Sequence, residues 1–237
     1  MENWLSRTEL LLGSEKLEKL AKSHVLVAGL GGVGGYAAEQ LCRAGIGEMT
    51  LIDGDIVNET NRNRQVIALV SNEGMSKAKL MESRLKDINP AIRIHIIPEF
   101  LKEDRFGEIL ESPFDFVVDA IDTLTPKVHL LAESVRHNRK IVSSMGSGGR
   151  LNPEKIEIAD ISESHHCKFA HMVRKYLHRM DIFDGITVVY SPESVDSHAI
   201  RETNGEENKR SVVGTISYMP PIFGCYCASV VIRNLIL

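Results

Sequence analysis

The chain has 237 residues, 43% of them hydrophobic and 25% charged, enough for one α/β domain with a substantial core. A formal net charge of −4 and a pI near 6.1 exclude a global positive field. A nucleic-acid partner would therefore need a local basic patch.

The amino terminus, MENWLSRTELLLG, carries acidic residues and one short apolar run, which does not fit a signal peptide. Residues 8–22 have apolar side chains at helical spacing and predict an amphipathic helix. HVLVAGLGGVGG (24–35) is a buried strand running into glycines, and YAAEQLCRAG continues it as a helix. A second strand is expected at 48–55, a helix at 74–88 stopped by Asn89-Pro90, and a third strand at 92–98. FDFVVDAID (114–122) is a fourth strand, 126–138 a helix, and KIVSSMGSG (140–148) a fifth strand. Strands alternating with helical crossovers predict a Rossmann-like, doubly wound, mostly parallel sheet with helices on both faces.

Past 150 the pattern changes. Strands are expected at 155–161 and 186–191, flanking a helix at 168–180. That helix places Phe169, Met172, Val173, Tyr176, Leu177 and Met180 on an apolar face, with Lys168, Arg174, Lys175 and Arg179 elsewhere. SPESVDSHAIRETNGEENKRS (191–211) has almost no large apolar residues and reads as a mobile loop. The apolar tail at 212–237 is broken by Pro220, Pro221 and Arg233, so a C-terminal helix buried after the prolines is expected rather than a membrane span. We read one domain, 1–237, with a nucleotide-binding half to 150 and a substrate-side half beyond it as a C-terminal extension. Cys42, Cys167, Cys225 and Cys227 form no C-x-x-C pair. Neither a four-thiolate zinc site nor a disulfide scaffold is expected, and the compartment is read as the cytosol.

Gly29-Leu30-Gly31-Gly32-Val33-Gly34 fits G-x-G-x-x-G between a strand and a helix, with Asp53 ending the next strand where ribose hydroxyls would lie. Behind it, DGDIVNETNRNRQV (53–66) crowds hydrogen-bond donors: Asn61, Arg62, Arg64 and Gln65, followed by Lys77. A dinucleotide pyrophosphate is served largely by backbone amides. A triphosphate with its metal carries about four charges and calls for Lys, Arg and a carboxylate for Mg²⁺. Asp122, after the fourth strand, suits that metal. The donors therefore fit ATP better than a nicotinamide cofactor. No G-x-x-x-x-G-K-[ST] is present, so this is not a P-loop protein.

These residues resemble a family. D-x-D-x-V-x-x-x-N-x-x-R-Q (53–65), Lys77 and DAID (119–122) are similar to the ubiquitin-activating-type adenylyltransferases, the MoeB/ThiF/HesA superfamily. SRTELLLG (6–13), DAIDTLTPK (119–127), SSMGSGGRLNPEKIEIADI (143–161) and VVYSPE (188–193) resemble its branch acting on threonylcarbamoyladenosine in tRNA. The resemblance implies ATP-dependent adenylation of a carboxylate, then ring closure by the carbamoyl nitrogen with loss of AMP. It implies that Gly29, Gly31 and Gly34 line the phosphates and Asp53 holds ribose. Asn61, Arg64, Gln65 and Lys77 would hold phosphate, and Asp122 would hold Mg²⁺. It further implies a homodimer in which Arg7 reaches the partner's site, tRNA as substrate, and a possible sulfur-transfer partner. The branch often carries a cysteine after the mobile loop, where this chain has Ser211 and no thiol. Two other readings remain open: adenylation of a ubiquitin-like sulfur carrier, and a binding-only homologue.

Overall fold

The computed structural model describes residues 4–101, 105–202 and 211–237. In chain order the elements are α1 (Ser6–Leu12), α2 (Ser14–Lys22), β1 (His24–Ala28), α3 (Gly34–Arg43), β2 (Glu48–Ile52), α4 (Lys77–Ile88) and β3 (Arg93–Ile97). Then come α5 (Arg105–Leu110), β4 (Phe116–Asp119), α6 (Leu124–Arg136), β5 (Ile141–Ser144), β6 (Glu157–Asp160) and α7 (Lys168–His178). The chain finishes with β7 (Thr187–Tyr190), β8 (Ile200–Glu202), β9 (Ser211–Val213) and α8 (Met219–Leu235).

Seven strands form one sheet in the order β3-β2-β1-β4-β5-β7-β6, parallel throughout except for β6, which pairs antiparallel with β7 at the edge. β1, β2 and β4 run as near-continuous apolar stretches because both sheet faces are covered. Val25, Val27, Met49 and Leu51 pack against residues of α3, α4 and α8. The alternate residues Leu26, Ala28, Ile52 and Val117 join the core under α5, α6 and α7. Strand order reverses between β1 and β4, which opens a crevice at their carboxyl ends where this architecture binds ligands.

Four local departures have physical causes. The helix expected over 8–22 is two helices, because the chain breaks at Gly13 with φ +84°. The prolines do not precede α8: they lie in its first turn, where no intrahelical N–H is needed. The segment read as a loop contributes β8, which pairs antiparallel with β9 at its far end; three residues each are too few to show an alternation signal. Residues 203–210 of that segment lie outside the described residues. Finally, α5 is a six-residue helix too short to leave a period in the sequence. No helix among the described residues is long and apolar enough to cross a membrane.

Candidate functional site

The glycine turn follows β1 directly. Gly29 has φ +85°, and a Cβ there would meet the Ala120 carbonyl oxygen at 2.8 Å. At Gly34 the exclusion is harder, since a Cβ would stand 1.8 Å from the Gly29 carbonyl oxygen. The turn therefore folds tightly against itself and against the strand end of β4, and α3 starts with no side-chain cap on its first amides. Such a terminus is suited to phosphate.

Asp53 is part of the turn's frame. Its Oδ2 accepts from Leu30 N at 2.6 Å and its Oδ1 from Asp55 N at 2.8 Å. Burial pushes the carboxyl above its ordinary range, and the nearby Lys77 ammonium works against that shift. Lys77 itself is buried at the start of α4, with Nζ 2.8 Å from Asp55 Oδ2. An aspartate in such a frame fixes the turn.

The donors expected from the sequence gather on one side of the turn. The stem of Arg64 stands 3.2 Å from where a Cβ at Gly32 would lie, and Pro220 of α8 stands 2.9 Å from the same point. Arg64 Nη1 donates to the Thr60 carbonyl at 2.9 Å and to Asn63 Oδ1 at 2.8 Å. Burial lowers the guanidinium's pKa, with the charge of Asp122 opposing the shift. Asp122 is exposed and near enough for its charge to act on Arg64. Gln65 lies over Gly31, and its Oε1 is buried with no partner among the described residues. A buried acceptor of that kind normally has a donor, so this position is built for one that a ligand or water supplies. Asn61 is placed differently. Its side chain accepts from Asn58 N at 3.1 Å in a reciprocal capping box, so it shapes the loop carrying Arg64 and Gln65. The set fits a triphosphate nucleotide with a divalent ion: a glycine cradle, two cations, an unsatisfied amide oxygen and an exposed carboxylate.

Arg7 stands apart, exposed on α1, a helix with no buried residue. α1 is tied to the fold through Leu5, which lies 3.1 Å from a Cβ position at Gly45, in the loop entering β2. That is the amino end of the strands, away from the nucleotide crevice.

Sequence reasoning missed Lys127 and Arg150. Asp119, the first residue of the DAID match, forms a fully buried ion pair with Lys127 at 2.5 Å. The pair is closed by Ser143 Oγ at 2.5 Å from the carboxylate and by the Ser144 carbonyl at 3.0 Å from the ammonium. A lysine inside an amphipathic helix gives no sign that it points inward; only the position of Asp119 inside an apolar strand end hints at a buried partner. Arg150 is also buried, with Nε unpartnered among the described residues and Nη2 3.8 Å from Cys167 Sγ. Cys167 is buried at the edge of a cavity of about 490 Å³ lined further by His166, Lys168, His171 and Met172. The apolar face expected on the 168–180 helix is narrower than predicted. Ala170, Val173 and Leu177 are buried, whereas Met172 and Tyr176 are exposed.

Comparison with known proteins agrees with this geometry. The chain is 35% identical over 243 residues to the tRNA threonylcarbamoyladenosine dehydratase of Bacillus subtilis (strain 168), covering 100% of this chain and 96% of that protein. It is 32% identical to the Haemophilus influenzae protein of that name, over 94% of this chain and 89% of that one. Among solved structures, E. coli tRNA N6-threonylcarbamoyladenosine dehydratase, TcdA, in complex with ATP superposes with a TM-score of 0.88 at 31% identity, covering 98% and 93% of the two chains. The profile of the ThiF family matches residues 5–236. With its glycine turn, its donor loop and its full length accounted for, the chain belongs to the ThiF family.

Proposed function

We propose that the protein is an ATP-dependent enzyme that adenylates a carboxylate, and that its substrate is threonylcarbamoyladenosine in tRNA, which it dehydrates to a cyclic base. The observation that carries the reading is the donor set of Arg64, Gln65 and Lys77 beside the glycine turn, with the Asp122 charge near Arg64. The likeness to tRNA threonylcarbamoyladenosine dehydratases along the whole chain supports the substrate.

In this reading the threonyl carboxylate attacks the α-phosphorus, pyrophosphate leaves, and the carboxyl becomes an acyl-adenylate. The carbamoyl nitrogen then attacks that carbonyl, AMP leaves, and a ring closes with net loss of water from the base. Arg64 and Lys77 neutralise charge on the departing phosphates. Gly29, Gly31 and Gly34 let backbone amides approach, and Asp53 holds their turn in place. Asp122 would hold Mg²⁺, which supplies further charge neutralisation when bound. Catalysis of this kind rests on positioning and charge, which suits a site rich in fixed donors.

Two measurements test the proposal. Saturating ATP with Mg²⁺ should raise the melting temperature, at 100 Kd by the equivalent of about 2.7 kcal/mol, while NAD(H) should not. Purified protein given ATP, Mg²⁺ and tRNA bearing the linear base should yield the cyclic base on nuclease digestion and mass spectrometry. Tight NAD(H) binding without an ATP response would overturn the nucleotide assignment. Pyrophosphate release driven by a ubiquitin-like carrier and not by tRNA would transfer the enzyme to the sulfur-carrier class. ATP binding without turnover of either would leave a binding-only homologue.

A further inference from the structure

At the amino ends of the strands, remote from the nucleotide crevice, three side chains that the proposed reaction does not use converge on one face of the sheet. His24 opens β1 and is the register neighbour of Glu48, which opens β2. His95 lies on β3, opposite Thr50 of β2. Residues two apart on a strand share a face, so His24, Glu48, Thr50 and His95 all project to the same side. His24 stands five residues before Gly29, about 16 Å along the strand from the glycine turn at 3.3 Å per residue.

We propose that His24, Glu48 and His95 form a binding site for a transition-metal dication of the zinc class, with an open coordination position facing solvent. Each residue offers one ligand atom, and the three atoms lie within 4.8 Å of one another. Glu48 Oε1 stands 2.9 Å from His95 Nε2 and 3.8 Å from His24 Nδ1. These separations bracket the spacing of about 3.3 Å between ligands of a tetrahedral ion with bonds of 2.0–2.1 Å. The ring of His24 is oriented as a metal-bound imidazole would be. Its Nε2 is 2.9 Å from Thr50 Oγ1, which leaves Nδ1 directed at Glu48. Phe114 packs edge-on against the same ring at 4.6 Å between centroids and fixes its plane. The second carboxylate oxygen of Glu48 accepts from Arg93 Nε at 3.1 Å, so Oε1 is the oxygen turned toward the two rings. The Arg93 charge also opposes a cation, which keeps the site weaker than a closed structural zinc centre.

Beside the cluster lies a cavity of about 270 Å³, lined further by Ile97, Ile109, Ser112 and Phe114, with room for a water or small ligand at the open position. Two imidazoles and one carboxylate select zinc, cobalt, nickel or copper over magnesium. The ion would therefore be distinct from any Mg²⁺ held with ATP.

The test uses the full chain, stripped with chelator and dialysed, titrated with ZnCl₂ against a chromogenic chelator and separately with Co²⁺ in the visible. One Zn²⁺ per chain is expected, and a four-coordinate Co²⁺ spectrum without thiolate charge transfer. His95→Ala and Glu48→Gln should each weaken binding at least tenfold, and Thr50→Val ten- to a hundredfold by freeing the His24 ring. The His95 side chain is 58% exposed, so His95→Ala should melt as the parent does without metal. Three results would each overturn the proposal: no binding above that of the combined His24→Ala, Glu48→Gln and His95→Ala chain; affinity unchanged in the single variants; or a thiolate band abolished by Cys225→Ser, which would put the ion on a cysteine.

Discussion

The most consequential charges in this protein are the ones that never meet water. Asp119 and Lys127 are both fully buried and satisfy each other together with Ser143 and Ser144. Removing one partner leaves the other uncompensated, so Lys127→Met should cost about 3–5 kcal/mol of stability, read as a fall in the urea midpoint. A cost under about 1 kcal/mol would mean that the carboxylate finds another donor or takes up a proton. Lys77 acts on Asp53 in a milder way. Burial raises the Asp53 carboxyl and the Lys77 charge holds it back, so Lys77→Ala should raise it further. A carboxyl whose folded pKa exceeds its unfolded value is not penalised below the unfolded pKa and loses stability as pH rises through the folded one. The urea-midpoint gap between parent and Lys77→Ala should therefore be smaller near about pH 4 than near about pH 7, across the ordinary carboxylate range. A gap that is constant with pH would show that Lys77 stabilises by packing alone.

At the scale of elements, α7 shows how a helix can be read correctly and its charges misread. Its strand-flanked position and its buried Val173 and Leu177 follow the sequence, but Arg174 does not project outward. Its Nη1 donates to the Ile161 carbonyl at 3.1 Å and also reaches the Ser164 carbonyl and hydroxyl. Arg174→Ala should thus lower stability. The residues free to meet phosphate are Lys168, Lys175 and Arg179, the last of which lies 5.0 Å over the Tyr176 ring. Lys168→Ala with Lys175→Ala should weaken tRNA binding and flatten the plot of log affinity against log salt by roughly two. Unchanged affinity and slope would make the helix purely structural. The sheet was legible because long apolar runs and glycine punctuation are local signals, and so was the donor loop, since Arg64, Gln65 and Asp53 lie within thirteen positions. What escaped was either short or set by the fold. α5 and the β8–β9 ribbon carry no period, the Asp119–Lys127 pair forms only because the first turn of α6 folds back over the end of β4, and the His24–Glu48–His95 cluster joins residues that the parallel register brings together.

Over the whole molecule, one segment has no role in its own nucleotide fold. α1 buries none of its residues, and Leu10 and Leu11 are 90% and 82% exposed. Leu12 packs against the core, so two adjacent leucines left in solvent on the same helix are what a second copy of the chain would cover. Arg7 lies on that helix, two residues after Leu5, which anchors it near Gly45 at the amino end of β2. The strands between that end and the crevice are five residues, about 16 Å, long. An Arg7 that served a nucleotide site would reach one more readily across a dimer than within its own subunit, and mixing two inactive chains distinguishes the cases. Arg7→Ala and Lys77→Ala dimers should each be nearly inactive. After co-refolding in equal amounts, half the dimers are mixed and each mixed dimer has one site with both residues intact, so activity should return to about a quarter of the parent's. No recovery, with mixed dimers verified by mass, would place Arg7 in its own subunit's site. Full activity of Arg7→Ala alone would remove it from catalysis. A monomeric parent with full activity would leave the leucines for some other partner.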